Sequence, residues 1–153
     1  MSFEIKSVTQ DDLAEVIQFL KPFMNAQQLL PRTSVDLQLL LRHGFKAEST
    51  DGSIIGFCAL EIYSMKLAEI QCLAVEESHQ RKGIGRLLVE ACVRRAKEEN
   101  ILELLAISSS ETMFKACGFD YSLPNQKRAF FYQTRNDDSD DHPASDADDN
   151  ESP

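Results

Sequence analysis

The sequence predicts an α/β (α+β) chain built on a mixed, mainly antiparallel central sheet with helices on both faces. Three observations lead there. Phe45–Glu48, Ile54–Tyr63 and Leu67–Val75 are short apolar or alternating runs separated by turn residues, so they pair as antiparallel neighbours. A long amphipathic helix, from about Gly83 to Asn100, then separates Leu67–Val75 from another apolar run, Ile101–Ile107. A strand–helix–strand unit of that kind gives a parallel pair with a right-handed crossover. Lastly, 153 residues of which 42% are hydrophobic suit a single core. A chain of that length buries roughly 70% of its unfolded surface without help from metals or disulfides.

The elements follow in order. Phe3–Val8 alternates weakly and reads as a first strand. Thr9 with Asp12 makes a short-acid capping box, and Leu13, Val16, Ile17 and Leu20 recur at helical spacing until Pro22, which should stop the helix. A second helix starts after Thr33, with Asp36 in its first turn, and ends at Gly44. Asp51-Gly52 tolerates positive φ and forms the hairpin turn between the next two strands. In the long helix Ile84, Leu87, Leu88, Ala91 and Cys92 share one face. Glu111–Cys117 is a short helix closed by Gly118, and Phe130–Gln133 is a last strand.

A formal net charge of −9 argues against nucleic acid as an obligate partner, because phosphate binding needs a basic footprint. The distribution of that charge matters more than its size. Asn136–Pro153 carries eight of the 25 acids and no Lys or Arg, so residues 1–135 hold 17 acids against 16 bases. The expected organisation is a folded domain over 1–135 and an acidic, disordered tail over 136–153. No apolar stretch opens the sequence as a signal peptide would, and no run approaches the roughly 20 residues of a membrane span, so a cytoplasmic protein is expected. Cys58, Cys72, Cys92 and Cys117 lack CxxC spacing and sit in apolar patterns, as buried thiols do. His43 and His79 show no ligand spacing, so no metal is expected, and His43 at a helix end favours a cation.

The most informative stretch is Gln80-Arg81-Lys82-Gly83-Ile84-Gly85-Arg86, between a strand and the amino end of the longest helix. Backbone N–H groups there are unpaired and the helix dipole is positive, which suits an anionic group. Gly83 and Gly85 permit close backbone approach, and Arg81, Lys82 and Arg86 add cationic side chains, so the chemistry points to a polyphosphate. A Walker A loop would place Lys after the glycine, whereas Lys82 precedes it. A dinucleotide fingerprint would place its first Gly directly after the strand and a small residue where Leu88 stands.

The pattern Gln/Arg-x-x-Gly-x-Gly/Ala, after a strand ending Leu73-Ala74-Val75 and before a helix, a strand, a short helix and Cys117-Gly118-Phe119, resembles the coenzyme A pyrophosphate loop of the GNAT superfamily of N-acetyltransferases. The resemblance covers nearly all of residues 3–135. More narrowly, Leu30-Pro31-Arg32-Thr33, Ala68–Val75 and Leu123–Arg128 with Tyr132-Gln133 look like the acetyltransferase domain of N-acetylglutamate synthases. Those synthases carry an amino-acid-kinase-like domain ahead of this part, which this sequence does not include, and short synthase-like relatives without it also exist.

The resemblance implies a GNAT fold and direct transfer of acetyl from acetyl-coenzyme A to the amine of a small molecule, with glutamate as leading acceptor. It implies a backbone N–H from Leu73, Ala74 or Val75 on the thioester carbonyl, and coenzyme binding along 80–86. Glu69 is the candidate base, and Ser108 the candidate proton donor to the leaving thiolate, because Phe114 stands where many members carry Tyr; Tyr121 and Tyr132 are poorer alternatives. Arg32 is matched to an acceptor carboxylate, with Lys127 and Arg128 as candidates for a second one. Dimers are common in the family, so a homodimer is compatible with it. A non-catalytic acyl-coenzyme A sensor and a protein N-acetyltransferase are the alternative readings.

Overall fold

Five strands, β1 (Phe3–Ser7), β2 (Gly44–Ser49), β3 (Ile54–Ile62), β4 (Leu67–Val75) and β5 (Glu103–Leu105), lie side by side in chain order. The first four pair antiparallel and β5 joins β4 in parallel, so the sheet is mixed and mainly antiparallel as expected. This is seen in a computed structural model that describes residues 2–121 and 128–134. Met1–Asp120 forms one compact unit, and the described residues after it belong to another.

Among the described residues four α-helices flank the sheet: α1 (Leu13–Asn25), α2 (Ser34–Leu40), α3 (Ile84–Glu98) and α4 (Glu111–Ala116). The core divides accordingly. Val16, Leu20, Leu37 and Leu40 from α1 and α2 cover one sheet face with Phe57, Ala59, Cys72 and Ala74. Ile84, Leu88, Ala91, Cys92 and Phe114 from α3 and α4 cover the other with Ile55, Cys58, Leu60, Ala68 and Ile70. Gly56 lets α3 approach, since a Cβ there would stand 3.0 Å from both Ile84 Cγ2 and Leu88 Cδ1.

Several sequence expectations need correction. The first helix runs through Pro22 to Asn25, with Ala26 N–H bonded to Pro22 O at 3.0 Å. A helical φ is the one proline prefers, and Phe19, Phe23 and Met24 still pack on the core, which offsets the missing donor. Leu87 faces outward from α3 rather than sharing its buried face. β5 spans only three residues, against seven expected. Among the described residues Phe130–Gln133 adopts no strand, although its aromatic composition favours one, and its three rings are exposed. His43 is half-buried with Nδ1 3.3 Å from Arg95 Nη1. Burial, with Arg95 and Arg42 outweighing Glu99, pushes its pKa below the usual range, so the expected helix-end cation is disfavoured. Cys58, Cys72 and Cys92 are buried free thiols and Cys117 is half-buried.

The register of β4 decides what faces where. Glu61 pairs with Glu69 and Ala59 with Gln71, but Phe57 then pairs with Ala74, so β4 advances three residues against two in β3. The extra residue falls at Cys72, whose φ is +55°. Ala68 and Ile70 therefore face α3, while Cys72 and Ala74, which unbroken alternation would also send there, face α1 and α2. Pairing of β4 with β5 ends at Glu69–Leu105, leaving Ile70–Val75 without a ladder partner on that side among the described residues.

Close seating of α3 on Gly56 yields a stability prediction. Gly56→Val should lower the unfolding free energy by about 1–3 kcal/mol, because the added carbons overlap Ile84 and Leu88. Urea unfolding measures it, and an unchanged midpoint would mean that α3 retreats without cost.

Candidate active site

The loop between β4 and α3 is tied at both ends by its own side chains. Gln80 Nε2 donates to Val75 O at 3.0 Å, and Lys82 Nζ donates to Ser78 O at 3.0 Å. Arg81 and Gly83 both hold positive φ, 62° and 81°, turning the chain into α3. The first helical bond runs from Leu87 N–H to Gly83 O at 3.1 Å, so the N–H groups of Ile84, Gly85 and Arg86 precede any intrahelical acceptor. A Cβ at Gly83 would meet nothing within 4 Å, and one at Gly85 would make only ordinary contact with Val75 and Met113. Protein packing thus demands glycine at neither position. What remains is open space at Gly83 with backbone donors that lack an intrahelical acceptor beside Arg81 and Lys82, a chemistry that suits a pyrophosphate. Arg86 lies along the helix surface, its Nε 2.8 Å from Glu90 Oε1.

A second cluster occupies the α1/α2 face of β3 and β4. Arg32 Nη2 donates to Gln71 Oε1 at 2.7 Å, and Gln71 Nε2 donates to Glu61 Oε2 at 3.0 Å. The Tyr63 hydroxyl lies 3.3 Å from Glu61 Oε2 and 2.5 Å from Glu69 Oε2. Arg32 and Glu69 are thereby joined through three residues that the sequence reading did not single out. Their signal was present: Glu61-x-Tyr63 and Glu69-x-Gln71 place polar residues at strand period on otherwise apolar strands. Arg32 itself is aimed by its flanks. Its N–H contacts Met24 Sδ of α1 at 3.3 Å, and the next residue, Thr33, accepts from Asp36 N–H while its own N–H donates to Asp36 Oδ2 at 2.9 Å. That capping box fixes where α2 begins.

The remaining candidates separate from this cluster. Ser108 follows β5 on an exposed turn, where its Oγ accepts Ser110 N–H at 3.0 Å. Had the parallel ladder continued in register, Ser108 would stand opposite Cys72. Phe114 is buried and packs edge-to-face on Phe119, centroids 5.2 Å apart, so it is a core residue with no proton to give. Leu73 and Val75 pack their side chains toward α3, leaving the backbone on the β5 side without a ladder partner. Arg128 is exposed in the second unit, and Lys127 lies outside the described residues. His79 is engaged with Glu76, Nδ1 to Oε2 2.6 Å. Among the described residues no group of three or more His, Cys, Asp or Glu could hold a metal ion, and no helix is long and apolar enough to cross a membrane.

Residues 13–119 match the acetyltransferase (GNAT) family, and the chain belongs to it. It is similar to an uncharacterised N-acetyltransferase of Chlorobaculum tepidum, 31% identical over 75% of this chain and 74% of that protein. It is 28% identical to the amino-acid acetyltransferase of Pasteurella multocida over 86% of this chain, which spans only 31% of that longer protein. Among solved structures, N-acetylglutamate synthase from Neisseria gonorrhoeae, in complex with coenzyme A and N-acetyl-glutamate, matches with a TM-score of 0.65. The identity is 25%, over 76% of this chain and 27% of that one. The protein is thus a GNAT-type acetyltransferase.

The open space at Gly83 is testable by filling it. Gly83→Glu should weaken coenzyme A binding at least about 10-fold by calorimetry, since side chain and charge both oppose a pyrophosphate. The left-handed φ adds a stability cost of only about 1 kcal/mol, so the variant stays folded. Unchanged affinity would show that the pyrophosphate binds elsewhere.

Proposed function

We propose that this chain moves the acetyl group of acetyl-coenzyme A to the amine of a small molecule, an amino acid, with glutamate as the first candidate. The observation that carries this reading is the hydrogen-bonded connection between Arg32 and Glu69, beside the strand segment that β5 leaves unpaired. The Arg32 guanidinium would hold the acceptor's carboxylate with the donors that Gln71 does not use. Glu69 would take the amine's proton, directly or through water, which matters because an α-amino group titrates near 8 and is mostly charged at neutral pH. A backbone N–H of Leu73–Val75 would polarise the thioester carbonyl. Nitrogen then bonds to the acetyl carbon, the carbon–sulfur bond breaks, and the thiolate takes a proton, for which Ser108 is the candidate source, while the proton that nitrogen sheds as the amide forms replaces the one Ser108 gives.

In this reading residues 80–86 hold the coenzyme, and Lys127 and Arg128 are candidates for a second acceptor carboxylate. Kinship with an amino-acid acetyltransferase and with N-acetylglutamate synthase supports the choice of acceptor. The acidic segment 136–153 has no part in the reaction, and 1–135 carries the activity.

Steady-state thiol release across a panel of amino acids and amines tests the reading. Turnover should be greatest with glutamate, and Arg32→Ala should raise the acceptor KM about 10- to 100-fold, the effect of losing a charged hydrogen-bonding partner. Glu69→Gln should lower kcat about 100-fold or more while leaving coenzyme binding intact. Good turnover of another amine but none of glutamate eliminates the acceptor assignment. Coenzyme binding with no turnover of any amine makes the chain a sensor instead.

Removal of 136–153 supplies an independent check on the tail. The expected result is unchanged coenzyme affinity and kcat, and a sharp change in either would give the tail a function.

A further inference from the structure

We propose that Tyr63 is a positioning residue for the acetyl transfer: its hydroxyl binds one carboxylate oxygen of Glu69 and leaves the other to receive the amine proton. The proposal rests on the acetyltransfer reading above. Tyr63 directly follows β3, and its N–H bonds Leu67 O at 3.0 Å where the β3–β4 hairpin turns, so it rides on the same ladder as Glu69. Its Oη lies 2.5 Å from Glu69 Oε2, whereas Glu69 Oε1 makes no hydrogen bond among the described residues. Across the ladder, Glu61 pairs directly with Glu69, and both carboxylates lie on one face, an arrangement that repels unless a donor stands between them. The phenol is that donor, 3.3 Å from Glu61 Oε2. Glu61 is fixed in turn by Gln71, which Arg32 anchors.

Partial burial, with the Glu69 hydrogen bond and the charges of Glu69 and Glu61, pushes the Tyr63 phenol up to about 12. It therefore stays protonated and donating over any practical assay range. The titratable groups facing Glu69 are Glu61 and Tyr63 on the β3 side, Arg32 through Gln71, and the Cys72 thiol beyond Gln71 on β4. From β5, Leu105 stands beside Glu69 and Glu103 beside Leu67, two residues away.

The test compares pH profiles of kcat/KM, measured by thiol release, for the wild type, Tyr63→Phe and Glu61→Gln. Tyr63 is half exposed, so Phe keeps the ring and the fold and removes only the hydroxyl. Loss of a donor to an ionised carboxylate favours its protonated form, so the acidic limb should move up. With Glu69 less well held, kcat should fall about 10-fold while coenzyme affinity stays unchanged. Glu61→Gln removes a facing negative charge, so its limb should move down. Opposite displacements are not produced by a general loosening of the strand ends. Limbs that move the same way, or a Tyr63→Phe enzyme with wild-type kcat and an unshifted limb, overturn the proposal. Absence of thiol release by the wild type with every amine is a different failure, that of the acetyltransfer reading, and the proposal falls with it.

Discussion

One extra residue in β4 organises the rest. Between Gln71 and Ala74 the strand advances a residue more than its partner, and Cys72 takes a left-handed φ to allow it. For a residue with a β-carbon that conformation costs on the order of 1 kcal/mol, so surrounding structure must hold it. Cys72 is buried against α1 and α2, and the partly buried Leu73 packs toward α3, on opposite sides of the kink. Without the bulge, Leu73 and Val75 would share a face with Glu69 and Gln71, and the polar cluster would run into apolar side chains. With it, the polar residues occupy the hairpin end of one face, while the strand's carboxyl end bends away from β5 and keeps unpaired backbone next to the glycine loop. The two halves of the candidate site, the polar cluster and the loop amides, are thus consequences of a single change in register.

Much of the frame was readable because it is encoded locally. Thr9 with Asp12 and Thr33 with Asp36 are reciprocal caps within four residues of chain, and Asp51-Gly52 is a turn whose glycine does adopt φ +87°. The glycine loop was readable for the same reason: its strand, its spacing and its helix lie within one continuous stretch. Features settled by tertiary partners were not. Pro22 reads as a stop, yet the next turn survives because Phe23 and Met24 bury themselves in the α1/α2 core. The seven residues 101–107, six of them apolar, read as a full strand, yet only Glu103–Leu105 pair with β4, whose register is broken further on at Cys72. Nothing in the apolar pattern of Cys72-Leu73-Ala74 marks a bulge, because both flanking layers are apolar and either register buries it.

The site divides along the same line. Glu69 and Arg32 could be chosen separately, from a resemblance and from the chemistry of a guanidinium, but 37 positions apart in sequence they carry no sign of belonging together. What joins them is cross-strand: Gln71 reaches Arg32 on one side and Glu61 on the other, and Tyr63 closes the chain to Glu69. Hydrogen bonds between side chains of neighbouring strands depend on register, and register is what the sequence left undetermined. Phe114 illustrates the opposite case. A missing hydroxyl is plain in the sequence, and the structure adds the reason that none is missed there: the ring fills the core against Phe119.

The cluster also has a direction. Gln71 presents its carbonyl oxygen to the Arg32 guanidinium and its amide nitrogen to the Glu61 carboxylate. Flipping the amide would set NH₂ against guanidinium and oxygen against carboxylate, so the polarity cannot reverse without losing both bonds. One end of the face is therefore cationic and the other, at Glu61 and Glu69, is doubly anionic. An acceptor with a carboxylate and an ammonium fits this gradient in one orientation, with its nitrogen toward Glu69. A simple amine would satisfy only the anionic end and leave Arg32 without a partner beyond Gln71. In the proposed acetyl transfer, the gradient would favour α-amino acids over plain amines. Between one amino acid and another it does not discriminate, since the carboxylate and ammonium that it orients are common to all of them.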